Sequence, residues 1–153
     1  MATFGGAASA ITTVFGRTGA VVSVLGDYFG LAFGKADDSN TPQGQTDYRD
    51  FFDTDTTIEE NAQNVVPAAC RMDLYTVRVP ANTASVTTTF RVRKNAVDAN
   101  QTVTVASSTT GVVRDTTNTD TFAAADLFST SIAVPVGTGG INHQGPAIRI
   151  TAV

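Results

Sequence analysis

The side chains best suited to chemistry are few in this chain of 153 residues, which has one histidine, His143, and one cysteine, Cys70. A nucleophilic serine would need His143 beside it as a base, and no Gly-x-Ser-x-Gly elbow frames a serine. We expect His143 to be a loop side chain within residues 139–146, with a contact across a subunit interface as the alternative. A lone cysteine forms no intramolecular disulfide, and we expect Cys70 to be a small buried apolar side chain.

Carboxylates are the other chemical groups to consider. Asp115, Asp120 and Asp126 could supply the pair of acids that a glycosidase uses, but the chain has no tryptophan to form a sugar platform. One cysteine and one histidine far apart do not match zinc-ligand spacing. The acidic run at residues 37–40 lacks the spacing of a calcium loop. We therefore expect a protein that is not an enzyme and that holds neither a metal nor a cofactor.

The basic residues do not favour nucleic acid as a partner. Arg91, Arg93 and Lys94 are the one local cluster in a chain with a pI near 4.7. A solvated strand face explains them most simply. The alternative is an electrostatic contact with the acidic segment of a neighbouring subunit. A signal peptide is not expected, and no apolar run approaches the 18 or so residues that span a bilayer, so we expect no membrane partner.

Charge divides the chain into three segments. Residues 1–34 have zero net charge, residues 35–62 carry −6, and residues 63–153 carry +2. The first segment is apolar and too short to bury its own apolar face, because an isolated hairpin is marginal in water. We predict an N-terminal arm at 1–34 that docks on another protein, an acidic linker at 35–62, and a folded domain at 63–153. The alternative for the arm is a hairpin packed on the chain's own domain.

The third segment has the alternation of β-strands. In residues 85–93, Val86, Thr88, Phe90 and Val92 fall on one side and polar residues on the other. Similar periods occur at 74–79, 102–105, 131–136 and 147–151, separated by turn-forming residues at 80–82, 94–95, 118–120 and 137–140. Seven or eight short strands at this spacing predict an all-β sandwich or jelly roll. A short helical turn is expected within 53–61.

The N-terminal segment also contains a recognisable motif. Residues 14–22 place short apolar runs around Gly16 and Gly19, which suits a tight hairpin. The sequence from Phe15 to Val22 resembles a segment that recurs in tail-fibre, collar and other surface proteins of tailed bacteriophages. That resemblance implies a virion protein whose partner-binding residues are Phe15, Gly16, Arg17, Thr18, Gly19, Val21, Val22, Tyr28, Phe29 and Phe33.

A second resemblance covers about residues 72–136. The run 89–98, followed by 101–105, 115–118 and 125–129, is similar to a jelly-roll pattern of phage and bacterial surface proteins with C1q-like or tumour-necrosis-factor-like knobs. Such knobs are usually trimers, so the resemblance implies a homotrimer. Ala125 departs from the pattern, which commonly has glycine before the aspartate.

Three functions follow from these resemblances and from the short chain, which lacks a shaft or a repeat. The first is a capsid decoration (cement) protein, a homotrimer that binds the phage major capsid protein through its arm and stabilises the shell. The second is a tail-fibre or receptor-binding knob attached to a tail or baseplate protein and recognising a host receptor. The third is a host-encoded adhesion or C1q-like module. The first two predict a protein made in the host cytoplasm and located on the particle surface.

Overall fold

The computed structural model describes residues 13–14, 17–18, 29–33, 39–50 and 56–153. These residues form short and long β-strands with one 3-10 helix, Glu59–Ala62. The strands are β1 Thr13–Val14, β2 Arg17–Thr18, β3 Phe29–Phe33, β4 Ser39–Pro42, β5 Gln45–Arg49, β6 Asn64–Val65, β7 Cys70–Asn82, β8 Thr88–Lys94, β9 Val97–Val105, β10 Gly111–Arg114, β11 Thr119–Phe122, β12 Leu127–Val134 and β13 Gly140–Ala152.

Two antiparallel sheets make up the domain. In the first sheet, β7 and β13 run side by side, with β10 and β11 along the other edge of β7 and β3 and β4 along the other edge of β13. In the second sheet, β8 lies between β9 and β12, and β5 and β6 pair with the far edge of β12. The predicted all-β sandwich is confirmed.

The path of the chain gives the sandwich its topology. The chain crosses between sheets from β4 to β5, from β6 to β7, from β7 to β8, from β9 to β10, from β11 to β12 and from β12 to β13. The β8–β9 hairpin stays in one sheet. This alternation, with the four strand positions of each sheet filled from distant parts of the sequence, is that of a jelly roll.

Side chains from both sheets meet in one apolar core. The predicted inward positions Thr88, Phe90 and Val92 are at most 1% exposed, whereas Val86 lies at the margin. Burying apolar surface in this way is the main favourable term in folding. The core is completed by residues of the first sheet and of β9 and β12, among them Met72, Tyr75, Val77, Val103, Phe122, Phe128, Ile132, Ile141 and Ile148.

Several predicted boundaries were wrong. Residues 39–49 form strands β4 and β5, which pair with β13 and β12, so this part of the acidic segment belongs to the sandwich rather than to a linker. Its one acidic residue, Asp47, turns inward and is buried, as is Arg49. Residues 80–82, expected as a turn, continue β7. The 3-10 helix, Glu59–Ala62, overlaps only the end of the helical turn predicted within residues 53–61.

A bulge in β7 bends the first sheet. Leu74 has a φ of 55°, in the left-handed region that a residue with a side chain rarely adopts. The register between β7 and β13 shifts at Leu74, between Ala147 and Arg149, and shifts again beyond Thr76, between Gln144 and Ala147. The extra residue leaves backbone groups near Leu74 without ladder partners, and side chains from β9 satisfy them, as described below.

Candidate interaction surfaces

The N-terminal residues predicted to bind a partner are only partly within the described structure. Arg17 and Thr18 form β2, whose register pairs Arg17 with Val14. Phe29 and Phe33 are the ends of β3. The other six, Phe15, Gly16, Gly19, Val21, Val22 and Tyr28, lie outside the described residues.

Strand β3 corrects the predicted end of the arm. It pairs with β13, with Phe33 opposite Ala147 and Phe29 opposite Thr151. Residues 29–33 therefore belong to the first sheet of the domain, and an arm that ends at residue 34 is too long. Any separate anchoring segment is limited to residues before Phe29.

The outside of the first sheet carries four arginines, which we call the arginine face: Arg71, Arg78, Arg114 and Arg149. The register places Arg71 and Arg78 on β7, with Thr76, between them, opposite Arg114 of β10, and with Asp73 opposite Arg149 of β13. Asp73 is the one carboxylate that the described residues place on this face. Four guanidinium groups against one carboxylate leave a net charge of +3.

Asp73 neutralises one corner of the arginine face. Arg149 donates two hydrogen bonds to it, from Nε at 2.6 Å and from Nη2 at 2.7 Å, and Arg71 Nη2 lies 3.3 Å away. The hydrogen bonds from Arg149 lower the pKa of Asp73 more than burial raises it. The guanidinium groups themselves remain open to solvent, with the Arg71 and Arg149 side chains 46% and 40% exposed.

The other two arginines have neutral partners. Arg78 is exposed and hydrogen-bonds the Gln144 side-chain oxygen across the β7–β13 ladder. Arg114 is exposed and donates from Nε to Thr76 Oγ1 at 2.9 Å. These bonds orient the guanidinium groups without compensating their charge, so this part of the face can attract an anion.

The outside of the second sheet balances its charges, and we call it the paired face: Glu59, Arg91, Arg93 and Asp98. Arg93 donates to both Glu59 oxygens at 2.8 Å and also binds Asp98, and Arg91 Nη1 lies 2.8 Å from Asp98. Ser129 donates a further hydrogen bond to Glu59 at 2.8 Å. Two arginines and two carboxylates give this face no net charge.

The paired face answers the question left by the basic cluster at 91–94. Arg93 contacts the acidic segment, as one alternative required, but the partner is Glu59 of the same chain. Burial raises the pKa of Glu59, and the hydrogen bonds from Arg93 and Ser129 outweigh it, so the net shift is downward. Arg93 also stacks 5.5 Å from the Tyr48 ring centroid.

Lys94 points to the end of the sandwich instead of to the paired face. Its Nζ lies 2.9 Å from Asp126 Oδ2, donates to the Thr121 carbonyl at 2.9 Å and sits 5.5 Å from the Phe122 ring centroid. The three basic side chains of the cluster therefore all have acidic partners within the chain.

The carboxylates considered for glycoside hydrolysis hold loops and edges together. Burial raises the pKa of Asp115, but hydrogen bonds from Asn118, Thr102 and Thr117 outweigh it and lower that pKa to about 2. Hydrogen bonds from Asn95 and Lys94 lower the pKa of Asp126 to about 2. A glycosidase acid needs a raised pKa, so neither is suited to that role.

Asp115 and Asp120 bind the outer edge of β9 to the other sheet. Asp120 accepts the backbone N–H groups of Asn100 at 2.8 Å and Gln101 at 3.0 Å, and Asp115 accepts that of Thr102 at 2.9 Å. Edge strands expose unpaired N–H groups that can template aggregation. Here two carboxylates from the neighbouring sheet occupy those donors.

Gln101 completes the same junction inside the core, where it is fully buried. Its Oε1 accepts the Tyr75 N–H at 3.1 Å, and its Nε2 donates to the Met72 carbonyl at 3.0 Å. These are backbone groups on either side of the Leu74 bulge. Gln101 thus supplies hydrogen-bond partners to backbone groups of β7 next to the bulge. No sequence motif predicted this role.

His143 is a core residue, and its prediction as a loop side chain was wrong. It lies in β13, is 1% exposed, and its Nε2 is 3.2 Å from Thr41 Oγ1. Its ring meets that of Phe90 edge-on, with centroids 5.5 Å apart. Burial, assisted by the charge of the buried Arg49, lowers the pKa of His143 to about 3.

Cys70 is buried at the start of β7, as predicted. Burial raises the pKa of its thiol, which keeps the sulfur protonated and unreactive. Within the described residues, no group of three or more histidine, cysteine or acidic side chains is placed to hold a metal ion.

One shallow cleft of about 400 Å³ lies beside the β8–β9 turn. Its polar lining groups are already engaged: Asn100 donates to Asp120, and Lys94 binds Asp126 and the Thr121 carbonyl. The cleft has no aromatic ring among its lining residues, which are Lys94, Asn95, Val97, Asp98, Ala99, Asn100, Asp120 and Thr121.

The far end of the sandwich is a set of cross-bonded loops. Ser85 N donates to the Thr138 carbonyl at 2.8 Å, and Thr138 N donates back to Ser85 Oγ at 2.9 Å. Gly139 has a φ of 82°, and a Cβ there would lie 2.0 Å from the Thr83 carbonyl oxygen. Loops 83–87, 106–110 and 135–139 contain no charged residue.

Comparisons with known proteins do not place the chain in a family. No family model matches it, and neither the curated proteins nor the solved structures give a match. Within the described ranges, no helix is long and apolar enough to cross a membrane.

Proposed function

We propose that this chain is a structural virion protein: a trimeric decoration (cement) protein that binds the major capsid protein of a tailed phage through residues before Phe29. One observation carries the proposal. The described carboxylates that could do chemistry, Asp115, Asp120 and Asp126, are all engaged in holding the sandwich together. These carboxylates support the strands and turns of the sandwich itself, which suits a structural protein.

The segment preceding β3 supports the anchoring role. Residues 1–28 carry only Arg17 and Asp27 as charged groups and include the motif that resembles phage surface proteins. A weak anchor on each subunit suffices in a trimer, because three arms acting together raise the effective concentration of each contact.

A full-length variant tests the anchor without removing a strand. Phe15→Ser combined with Val21→Ser should abolish co-sedimentation of the protein with particles that lack it. Val136→Ser is the matched control, because Val136 is apolar, 85% exposed and located in the far loops. Equal binding by both variants would contradict the anchor.

Electron cryomicroscopy of particles carrying the protein tests the location. Density repeated over the icosahedral head, in hundreds of copies, is the expected result. Density confined to the tail would contradict decoration and favour the second candidate, a receptor-binding knob. That candidate is supported by the motif at residues 16–19, which resembles fibre-like proteins most often, whereas the Ser/Thr-rich far loops lack the aromatic rings that stack on sugars.

A further inference from the structure

One corner of the arginine face already shows how its arginines bind a carboxylate. Asp73 lies two residues from Arg71 along β7 and directly opposite Arg149 of β13. Arg149 donates to the Asp73 carboxylate from Nε and Nη2, and Arg71 Nη2 lies 3.3 Å from the same carboxylate. Two arginines placed in this way around one strand position therefore hold one carboxylate, with the paired hydrogen bonds that guanidinium and carboxylate groups favour.

The same arrangement recurs farther along β7 with a neutral residue at its centre. Thr76 lies two residues from Arg78 along β7 and directly opposite Arg114 of β10. Arg114 donates from Nε to Thr76 Oγ1 at 2.9 Å, as Arg149 donates from Nε to Asp73. We call Arg78, Thr76 and Arg114 the threonine site. Its threonine accepts a hydrogen bond but brings no negative charge, so the described residues leave its two positive charges without a carboxylate.

The guanidinium groups of the threonine site keep donors for a further ligand. Arg114 uses Nε for Thr76, and Arg78 uses Nη1 for Gln144, so each retains other N–H groups that no described residue accepts. Both arginine side chains are exposed. Diagonal positions of an antiparallel strand pair lie about 7–8 Å apart, which is within the reach of two arginines to one bound carboxylate.

The described part of the chain offers almost no carboxylate for this site. Glu60 is exposed and outside any ion pair, but the 3-10 helix that carries it packs on the second sheet, on the other side of the sandwich. A second copy would bring the same carboxylates, so a different acidic protein fits the site better. The remaining described carboxylates are buried or ion-paired: Asp47, Asp50, Glu59, Asp73, Asp98, Asp115, Asp120 and Asp126.

The start of β3 places the proposed anchor on the same sheet. Phe29 pairs with Thr151 of β13, and Thr151 pairs with Arg71 of β7. The segment before Phe29 therefore joins the domain on the sheet that carries the arginine face. A partner bound by that segment is held at a high effective concentration near this sheet.

We propose that the threonine site binds a surface carboxylate of the coat protein, as Arg71 and Arg149 bind Asp73. The inference rests on the proposed function and adds a charged contact to the apolar anchor. Val112 lies opposite Arg78 and is 63% exposed, so a docked protein would also cover apolar surface there. Arginine beside apolar side chains is typical of the surfaces that proteins use to bind each other.

Thr76→Asp tests the site by building the missing carboxylate into it. The new aspartate should bind Arg114 and Arg78 within the chain and exclude a carboxylate of the partner. Co-sedimentation of the full-length protein with particles that lack it should weaken about tenfold or more, because like charges then meet across the contact.

Thr104→Asp is the matched control. Thr104 is exposed on β9, in the second sheet, so the same substitution adds the same charge on the other side of the sandwich. It should alter particle binding by less than about twofold, because salt screens charges at that distance. Thr76→Asp should also melt no lower than Thr104→Asp, since its carboxylate gains two arginine partners.

Arg78→Gln combined with Arg114→Gln tests the same site without adding a charge. This variant should lose particle binding to a similar extent. Its residual binding should depend little on salt between about 50 and 500 mM, whereas wild-type binding should fall over that range.

The outcomes separate this inference from the proposed function. Wild-type binding of particles together with unchanged binding by Thr76→Asp or by the glutamine variant would overturn the inference alone. Equal losses from Thr76→Asp and Thr104→Asp would overturn it too. DNA binding that Thr76→Asp removes, with particle binding intact, would identify a phosphate partner instead. A wild-type protein that does not bind particles would contradict the proposed function, and this inference with it.

Discussion

The two outer faces of the sandwich are both antiparallel sheets, but the paired face has no net charge and the arginine face has a net positive charge. On the paired face, Arg91 and Arg93 meet Asp98, which the β8–β9 hairpin places beside them, and Arg93 also meets Glu59 of the 3-10 helix. On the arginine face, Asp73 binds Arg149 and Arg71, while Arg78 and Arg114 have neutral partners. An arginine on the outside of a strand is therefore held in an ion pair when a neighbouring segment places a carboxylate beside it. It is left to bind other molecules when no carboxylate is placed there.

This difference distinguishes charges that stabilise the fold from charges that can bind another molecule. Charges satisfied within the chain help to hold a segment in place, although exposed pairs contribute little energy. Charges left without an opposite charge contribute nothing to folding and can steer an acidic partner. The paired face and the Asp73–Arg149 pair belong to the first case, and Arg78 and Arg114 belong to the second.

The largest expected effect comes from the junction on which both faces depend. Gln101→Leu removes the partners of the Tyr75 N–H and the Met72 carbonyl, which are buried. Each such loss costs about 1–3 kcal/mol, so unfolding by denaturant should show a loss of about 3 kcal/mol. Gln63→Leu, at a partly exposed position, is the control and should change stability by less than about 0.5 kcal/mol. Equal effects would mean that Gln101 does not join the sheets.

The next effect concerns His143, which lies between the two faces. Its pKa is about 3 in the folded protein and its ordinary value is 6.5, so the unfolded chain binds the proton first as pH falls. Stability is therefore fully present above pH 6.5 and is lost on acidification, by about 2 kcal/mol between pH 7 and pH 5.

The chain has no other histidine, so denaturant melts of the His143→Gln variant over that pH range isolate this effect. The variant should have a nearly flat profile. A wild-type profile equally flat would show that His143 is not held neutral in the core.

A smaller effect compares one carboxylate from each face. Asp73→Asn should cost about 1 kcal/mol, because the side chain is 7% exposed and receives charged hydrogen bonds from Arg149. Asp98→Asn removes a carboxylate that is 41% exposed and should cost about a third as much or less. Thermal melts at neutral pH measure both. The reverse order would contradict the assignment of Asp73 as the buried anchor of the arginine face.

The smallest effect sharpens the description of the loop that joins the two sheets near Asp126. Ala125 has a φ of 71°, where alanine is strained and glycine is not. Ala125→Gly should raise stability by about 0.5–1 kcal/mol, and Ala124→Gly, the control next to it, should not. A loss of stability in Ala125→Gly would rule out strain at this position.

Local alternation predicted much of the fold. Thr88, Phe90 and Val92 were assigned to the core from their period alone, and they are buried. The glycine that the resembling pattern commonly has at the position of Ala125 also has a physical reason, because the φ of Ala125 is positive. Such features depend on residues that are close in sequence, so they can be predicted from the sequence alone.

The surfaces depend on residues far apart in sequence and could not be predicted. The basic cluster at 91–94 could be identified in the sequence, but the fold is needed to show that Glu59 is the partner of Arg93. Arg71, Arg114 and Arg149 are scattered along the chain and become one face when β10 and β13 pair with β7. His143 looked like a loop residue because glycines and a proline surround it, yet strand pairing took it into the core.

The most direct test of the contrast between the faces is arginine modification by phenylglyoxal, followed by mass spectrometry, with and without an excess of particles that lack the protein. We predict that Arg78 and Arg114 react more slowly on the particles, while Arg91 reacts at an unchanged rate. Protection of Arg91 with Arg78 and Arg114 still fully reactive would contradict the account.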